Sequence, residues 1–256
     1  MTSTTDFSAL VGTFADQVRT RLDRITALAA AGGLDPAVTL LTDAVEAGAV
    51  VQAFGTGHSE AFAMEIAGRA GGLIPTTRIA LRDLVLHGGE DREVLGATLE
   101  RSPEIAQRLW DVSLVHEGDV FVIASNSGVN GSIVGLARLA KEHGHPVIAV
   151  TSLEHTMQVQ PKHPSGQRLR DVADVVIDNL APYGDATLDL PGGVPVGAVS
   201  SITSAYIAQL LTLGVAERIA AKGSVPPLYL SANIPGGDEH NSVLEKQYEG
   251  RIRRGS

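Results

Sequence analysis

Apolar residues near the N-terminus fall at helical spacing. Phe7, Leu10, Val11, Phe14, Val18, Leu22, Ile25 and Leu28 predict one helix over residues 5–31. Gly32-Gly33 stops it, and Asp35-Pro36 supplies a cap and first turn for a second helix reaching about Glu46. The period then changes. Apolar runs at 49–54, 73–81, 119–124, 146–151 and 174–178 read as strands, alternating with helical patterns at 59–70, 104–115 and 131–143. Strands separated by helices predict an α/β fold, a doubly wound five-stranded parallel sheet flanked by helices. Residues 83–103 form a long polar connection, and long connections often carry function. The stretch 196–222 reads as a helix apolar on more than one face, which argues for a buried or intersubunit position. With no repeat or linker in view, the expectation is one domain over 1–256: a core at about 35–222, with additional N- and C-terminal helices and a tail over 223–256.

Two polar loops interrupt this pattern where chemistry is expected. Gly55-Thr56-Gly57-His58-Ser59 follows the first strand, and Ser125-Asn126-Ser127-Gly128-Val129-Asn130 follows the third. Each opens a helical pattern. A strand that turns straight into a helix leaves backbone N–H groups pointing outward, and these attract an anion together with the helix dipole. Hydroxyls at Ser59, Ser125 and Ser127 add donors. Two such loops place a phosphate at the carboxyl edge of a parallel sheet. The first loop falls short of the dinucleotide pattern Gly-x-Gly-x-x-Gly, because Glu60 stands in place of the third glycine. No Walker loop is present.

Composition narrows the classes. The hydrophobic fraction of 44% is ample for a core, and with only 4% aromatic residues that core must be aliphatic. A net charge of −9 argues against nonspecific nucleic-acid binding, which needs a basic field. The absence of cysteine removes disulfides, thiolate metal sites and thiol nucleophiles, and fits a cytoplasmic setting. Met1–Phe7 lacks the basic and apolar regions of a signal peptide, and no apolar run is long enough to span a bilayer. No HExxH motif or tight His/carboxylate triplet points to a metal, and no cofactor is expected.

The two loops resemble the phosphate loops of the SIS (sugar isomerase) domain family, over roughly residues 35–222. That resemblance implies a flavodoxin-like fold and a phosphosugar ligand. It carries Ser59, Ser125, Ser127 and Asn130 over as phosphate ligands, with Gly57, His58 and Asn126 completing the loops. A narrower similarity rests on His58-Ser59, Glu65, Arg69–Gly72, His87-Gly88, Glu100-Arg101, His163–Gly166, Asp174–Asn179 and Gly184–Ala186. These are similar to a SIS subfamily that includes an actinobacterial N-acetylglucosamine-6-phosphate dehydratase. The chain departs from phosphoheptose isomerase, whose catalytic Glu position is taken here by Arg69, with Glu65 four residues earlier.

The candidate chemistry follows. Glu65 stands six residues after Ser59, about two helical turns beyond the phosphate end, where a carboxylate reaches a sugar C2 proton. Its plain alternative is a surface or capping Glu. His87, beside Gly88-Gly89 in the long connection, is a candidate acid for a leaving C3 hydroxyl, since histidine as a residue type can exchange a proton near neutral pH; His155 and His163 are alternatives for that acid. Glu100-Arg101 reads either as a charged clamp or as a helix-surface pair. Asn233, Glu239, His240 and Asn241 read as a cover for the site or as a polar tail. The expected protein is a homodimeric amino-sugar 6-phosphate lyase, with a phosphosugar isomerase and a non-catalytic phosphosugar sensor as rivals.

Overall fold

The computed structural model describes residues 6–96 and 98–253. Residues 1–5, with the start of the expected first helix and most of the segment read for a leader, lie outside the described residues. So do residue 97 of the long connection and residues 254–256 of the tail.

The chain runs α1 (Phe7–Ala30), α2 (Asp35–Glu46), β1 (Val51–Gly55), α3 (Glu60–Ile66), β2 (Thr76–Ile79), α4 (Asp83–Leu86), α5 (Ile105–Val112), β3 (Val120–Ala124) and α6 (Gly131–Glu142). It continues with β4 (Val147–Thr151), α7 (Leu153–Gln158), α8 (Leu169–Val172), β5 (Val175–Asp178), β6 (Ala186–Leu190), β7 (Val194–Ala198), α9 (Ser200–Ala221) and α10 (Gly237–Glu245). β1 to β5 form one parallel sheet in the order β2-β1-β3-β4-β5. Successive side chains enter opposite layers. Val51, Ala53, Val120, Val122, Ile148 and Val150 pack with α2, α3 and α9. Phe54, Phe121, Ile123, Val147 and Ala149 pack with α5 and α6. Burial on both faces is why the strands read as continuous apolar runs.

Four local expectations are corrected. Asp35 is the first residue of α2, not its cap; Leu34 holds the cap position, and the Asp35 carboxylate pairs with Arg218 at 2.8 Å. The helix after the first loop ends at Ile66, well short of residue 70, because Ala67 is extended and Gly68 takes φ +76°. Arg69 therefore lies beyond the helix that carries Glu65. The second strand shrinks to Thr76–Ile79; residues before it pair instead with the C-terminal segment, through Ile74 N–H to Pro227 O (2.8 Å) and Tyr229 N–H to Gly72 O (2.9 Å). The expected helix start at 196 gives way to the antiparallel hairpin β6–β7, and α9 begins at Ser200. Asp185 fixes that start by accepting from Ser200 N–H at 2.8 Å and Ser200 Oγ at 2.7 Å. Among the described residues no single helix is long and apolar enough to cross a membrane.

Candidate functional site

In the order β2-β1-β3-β4-β5 the chain leaves β1 toward one side and β3 toward the other. The crevice at the carboxyl ends of these two neighbouring strands is the switch point at which open α/β sheets bind ligands. Both polar loops line it. The first begins at Gly55, where a Cβ would stand 2.3 Å from the Ser59 carbonyl oxygen, so only glycine allows the chain to fold back this tightly. Gly57–Ser59 then forms one 3-10 turn leading into α3. Gly57 and His58 are exposed and Ser59 is half-buried.

The second loop is a stack of donors. Ser125 is buried, and its Oγ accepts from Gly128 N–H at 3.1 Å, closing the turn. Among the described residues, the N–H groups of Asn126, Ser127, Val129 and Asn130 have no backbone or side-chain acceptor. Asn130 occupies the cap position of α6 without a side-chain cap bond, so the first N–H groups of that 12-residue helix also remain open. The macrodipole adds a partial positive charge at the same point. Asn126 also braces the loop from below. Its Oδ1 accepts from buried Asn179 Nδ2 at 3.1 Å, tying the loop to the end of β5.

The sequence candidates are not gathered in one place. Glu65, half-buried on α3, pairs with Arg69 and accepts from Gln209 of α9. His87 ends α4 on the same edge of the sheet, exposed, with Nε2 4.0 Å from Asp83 Oδ1. Among the described residues, no hydrogen bond or ion pair joins either side chain to a loop. His163 bonds Ser165 Oγ at 2.8 Å and lines a small cavity with Gly135 and Arg138, away from the crevice. His240 Nε2 bonds Leu228 O at 2.9 Å, and Asn241 bonds Leu230 through both its amide atoms, so these two residues secure the tail to its own preceding segment. Glu60, whose charge spoils the dinucleotide pattern, is paired with Arg82 at 2.6 Å.

Two residues that sequence alone undervalued stand at the crevice. Glu100 Oε1 accepts from Asn130 Nδ2 at 3.0 Å, while Oε2 lies 3.4 Å from the position a Cβ would take on Gly57. The carboxylate thus meets both loops. Lys162 Nζ donates to Asn130 Oδ1 at 3.3 Å, bringing a cation to the rim. The Glu100-Arg101 pair was visible in sequence, but nothing there indicated which loops it touches. Lys162 carried no signal at all.

His155 on α7 lies close enough to this rim for Lys162 to act on its ring. Burial lowers its pKa from 6.5; Asp185 opposes that shift and Lys162 adds to it. Its Nδ1 accepts from Gly184 N–H at 3.0 Å, a bond that needs the unprotonated ring. The His163 pKa is lowered too, by burial and then by Arg138. A depressed folded-state pKa means that the unfolded chain binds protons first. This stabilisation is whole above about pH 6.5 and is lost as pH falls through the lower folded values. The thermal midpoint is therefore expected to drop below that pH, and His155→Gln to flatten the drop; an unchanged slope in that variant would remove His155 from the account.

An open parallel sheet with two loops of open N–H groups at its switch point defines the class: an α/β domain with an anion-type crevice at the carboxyl ends of its strands. Residues 13–152, more than half of the chain, match the SIS domain family model. A UPF0309 protein of Geobacillus kaustophilus is 37% identical over 220 residues, covering 86% of each chain. One from Brucella canis is 36% identical over 222 residues, covering 86% of this chain and 89% of its own. Among solved structures, a phosphoheptose isomerase from Francisella tularensis aligns at TM-score 0.50 and 17% identity, over 83% of this chain and 100% of its own. The E. coli CFT073 protein c3406 aligns at 0.52 and 17%, over 86% and 94%. At these identities the two structures speak to the fold. The chain belongs to the SIS-domain family and to the UPF0309 family.

Proposed function

We propose that this protein is a cytoplasmic, homodimeric lyase that removes water from an amino-sugar 6-phosphate, with N-acetylglucosamine 6-phosphate as the substrate. The observation that carries the reading is the second loop, whose open N–H groups at the start of α6 face the crevice beside a carboxylate. Ser127 and the first turn of α6 hold the phosphate, with Ser59, Gly57 and His58 opposite, Ser125 shaping the turn, and Asn126 and Asn130 bracing it. In the open-chain sugar the C1 carbonyl acidifies the C2 proton. A carboxylate at the crevice takes that proton, and the C3–O bond breaks. His87 protonates the departing hydroxide, and the product is a C2=C3 unsaturated aldehyde phosphate plus water. No redox step is involved, so the reaction calls for no redox cofactor. The homodimer is supported by Ile202 and Leu213, which remain exposed on α9 although α1, α2 and α3 cover much of that helix.

The test is incubation with N-acetylglucosamine 6-phosphate, followed by mass and ultraviolet absorbance. The expected result is loss of one water and a new conjugated-carbonyl band. Conserved mass with changed connectivity would replace the lyase with an isomerase. Tight binding without conversion would leave a sensor.

A further inference from the structure

We infer that Glu100 is the catalytic base of this site, a reading that rests on the proposed dehydration. The reaction needs a carboxylate that reaches C2 of a sugar whose C6 phosphate lies at the two loops, and Glu100 stands between those loops. One of its oxygens is bonded to Asn130 of the second loop at 3.0 Å, and the other stands over Gly57 of the first. Glu65, in contrast, is taken up by Arg69 and Gln209, a clamp that ties α3 and the segment after it to α9.

The backbone around Glu100 is anchored as a positioned base requires. Its carbonyl accepts from buried Ser132 Oγ of α6 at 2.7 Å. The following residues lie directly on the start of that helix: a Cβ on Gly131 would come within 2.4 Å of the Arg101 carbonyl oxygen. The turn bearing the carboxylate is therefore built onto the same helix N-terminus that offers the open N–H groups. Lys162 orients the Asn130 amide through Oδ1, leaving its Nδ2 to donate to Glu100. Asn130 and Lys162 are positioning residues. Oε2 has no hydrogen-bond or ion-pair partner among the described residues and is the oxygen free to accept a proton.

The balance closes without an added reactant. Glu100 takes the C2 proton, the C2–H electron pair becomes the C2=C3 bond through the enolate, and the C3–O bond releases hydroxide. A histidine gives that hydroxide a proton to make water, and solvent then restores the histidine and clears Glu100.

The experiment follows exchange of the C2 hydrogen in deuterated water, water loss, and substrate binding by calorimetry for wild type, Glu100→Gln, Glu100→Asp and Glu65→Gln. The expected result is that Glu100→Gln loses exchange and water loss by roughly 10²–10⁴-fold while still binding substrate. Glu65→Gln is expected to retain exchange. Glu100→Asp keeps a carboxylate set back by one methylene and is expected to be slowed by about 10²-fold; it also answers the question if Glu100→Gln does not fold. Exchange undiminished in the folded Glu100 variants, or lost in Glu65→Gln alone, overturns the inference and leaves the dehydratase reading standing. Neither exchange nor water loss in the wild type overturns that reading and the inference with it.

Discussion

Asp119→Ala is expected to destabilise the protein by about 3–5 kcal/mol, the cost of breaking a buried charge network. At roughly 2–4 °C per kcal/mol for a chain of this size, the thermal midpoint falls by on the order of 10 °C. Asp119 is fully buried just before β3. Its carboxylate accepts from Val50 N–H (2.8 Å), Gln52 Nε2 (2.8 Å), His116 N–H (3.0 Å) and Arg251 Nη2 (2.8 Å). Arg251 also reaches the Gly48 carbonyl at 2.6 Å, so a residue near the C-terminus clasps the amino ends of β1 and β3. Removing the carboxylate takes the acceptor from four donors at once; Gln52 Nε2 keeps the Leu114 carbonyl at 2.8 Å, but the N–H of buried Val50 is left without a partner, which costs more than the bond it made. Arg251→Ala is expected to cost less, because Asp119 keeps three donors and Arg251 is partly solvated. The two substitutions should be non-additive. Melting curves decide: a midpoint for Asp119→Ala within a degree or two of wild type removes the clasp from the stability account.

Ser127→Asp is expected to abolish phosphosugar binding and leave the fold intact. Ser127 is half-buried, and its hydroxyl makes no hydrogen bond among the described residues, so little native structure depends on it. A carboxylate there would stand beside the bound phosphate dianion, and juxtaposed like charges cost several kcal/mol. A penalty of about 3 kcal/mol is already more than a hundredfold in affinity. Ser127→Ala removes one hydrogen bond, worth about 0.5–1.5 kcal/mol, so it should lose up to about tenfold. Titration with N-acetylglucosamine 6-phosphate and with inorganic phosphate separates the loop's own affinity from that of the sugar. Unchanged affinity in Ser127→Asp would place the phosphate elsewhere.

The parallel sheet was legible because its strands are buried on both faces, so Val120–Ala124 and Val147–Thr151 carry apolar side chains at almost every position. The β6–β7 hairpin was not. β6 is mostly half-buried and β7 largely exposed, Pro195 and Gly197 interrupt the pattern, and α9 begins two residues after it. The turn signal was nonetheless present in Pro191-Gly192-Gly193 between two short β-forming runs. The early end of α3 also escaped notice, because a single glycine inside an apolar helical pattern is ordinarily tolerated.

Residue order alone was enough for the layer architecture and for the positions of both loops, since each depends on neighbours within a few residues: period, β-branching, and glycine or serine at a strand end. Which groups face those loops was decided in three dimensions. Glu100 meets Asn130 across 30 positions and Gly57 across 43, Lys162 meets Asn130 across 32, and Arg251 meets Asp119 across 132. None of these separations has a period. Each exists because the sheet order sets β1 beside β3 and folds the intervening segments over its two edges. Local pattern therefore located the two loops, and strand pairing chose the carboxylate that stands between them.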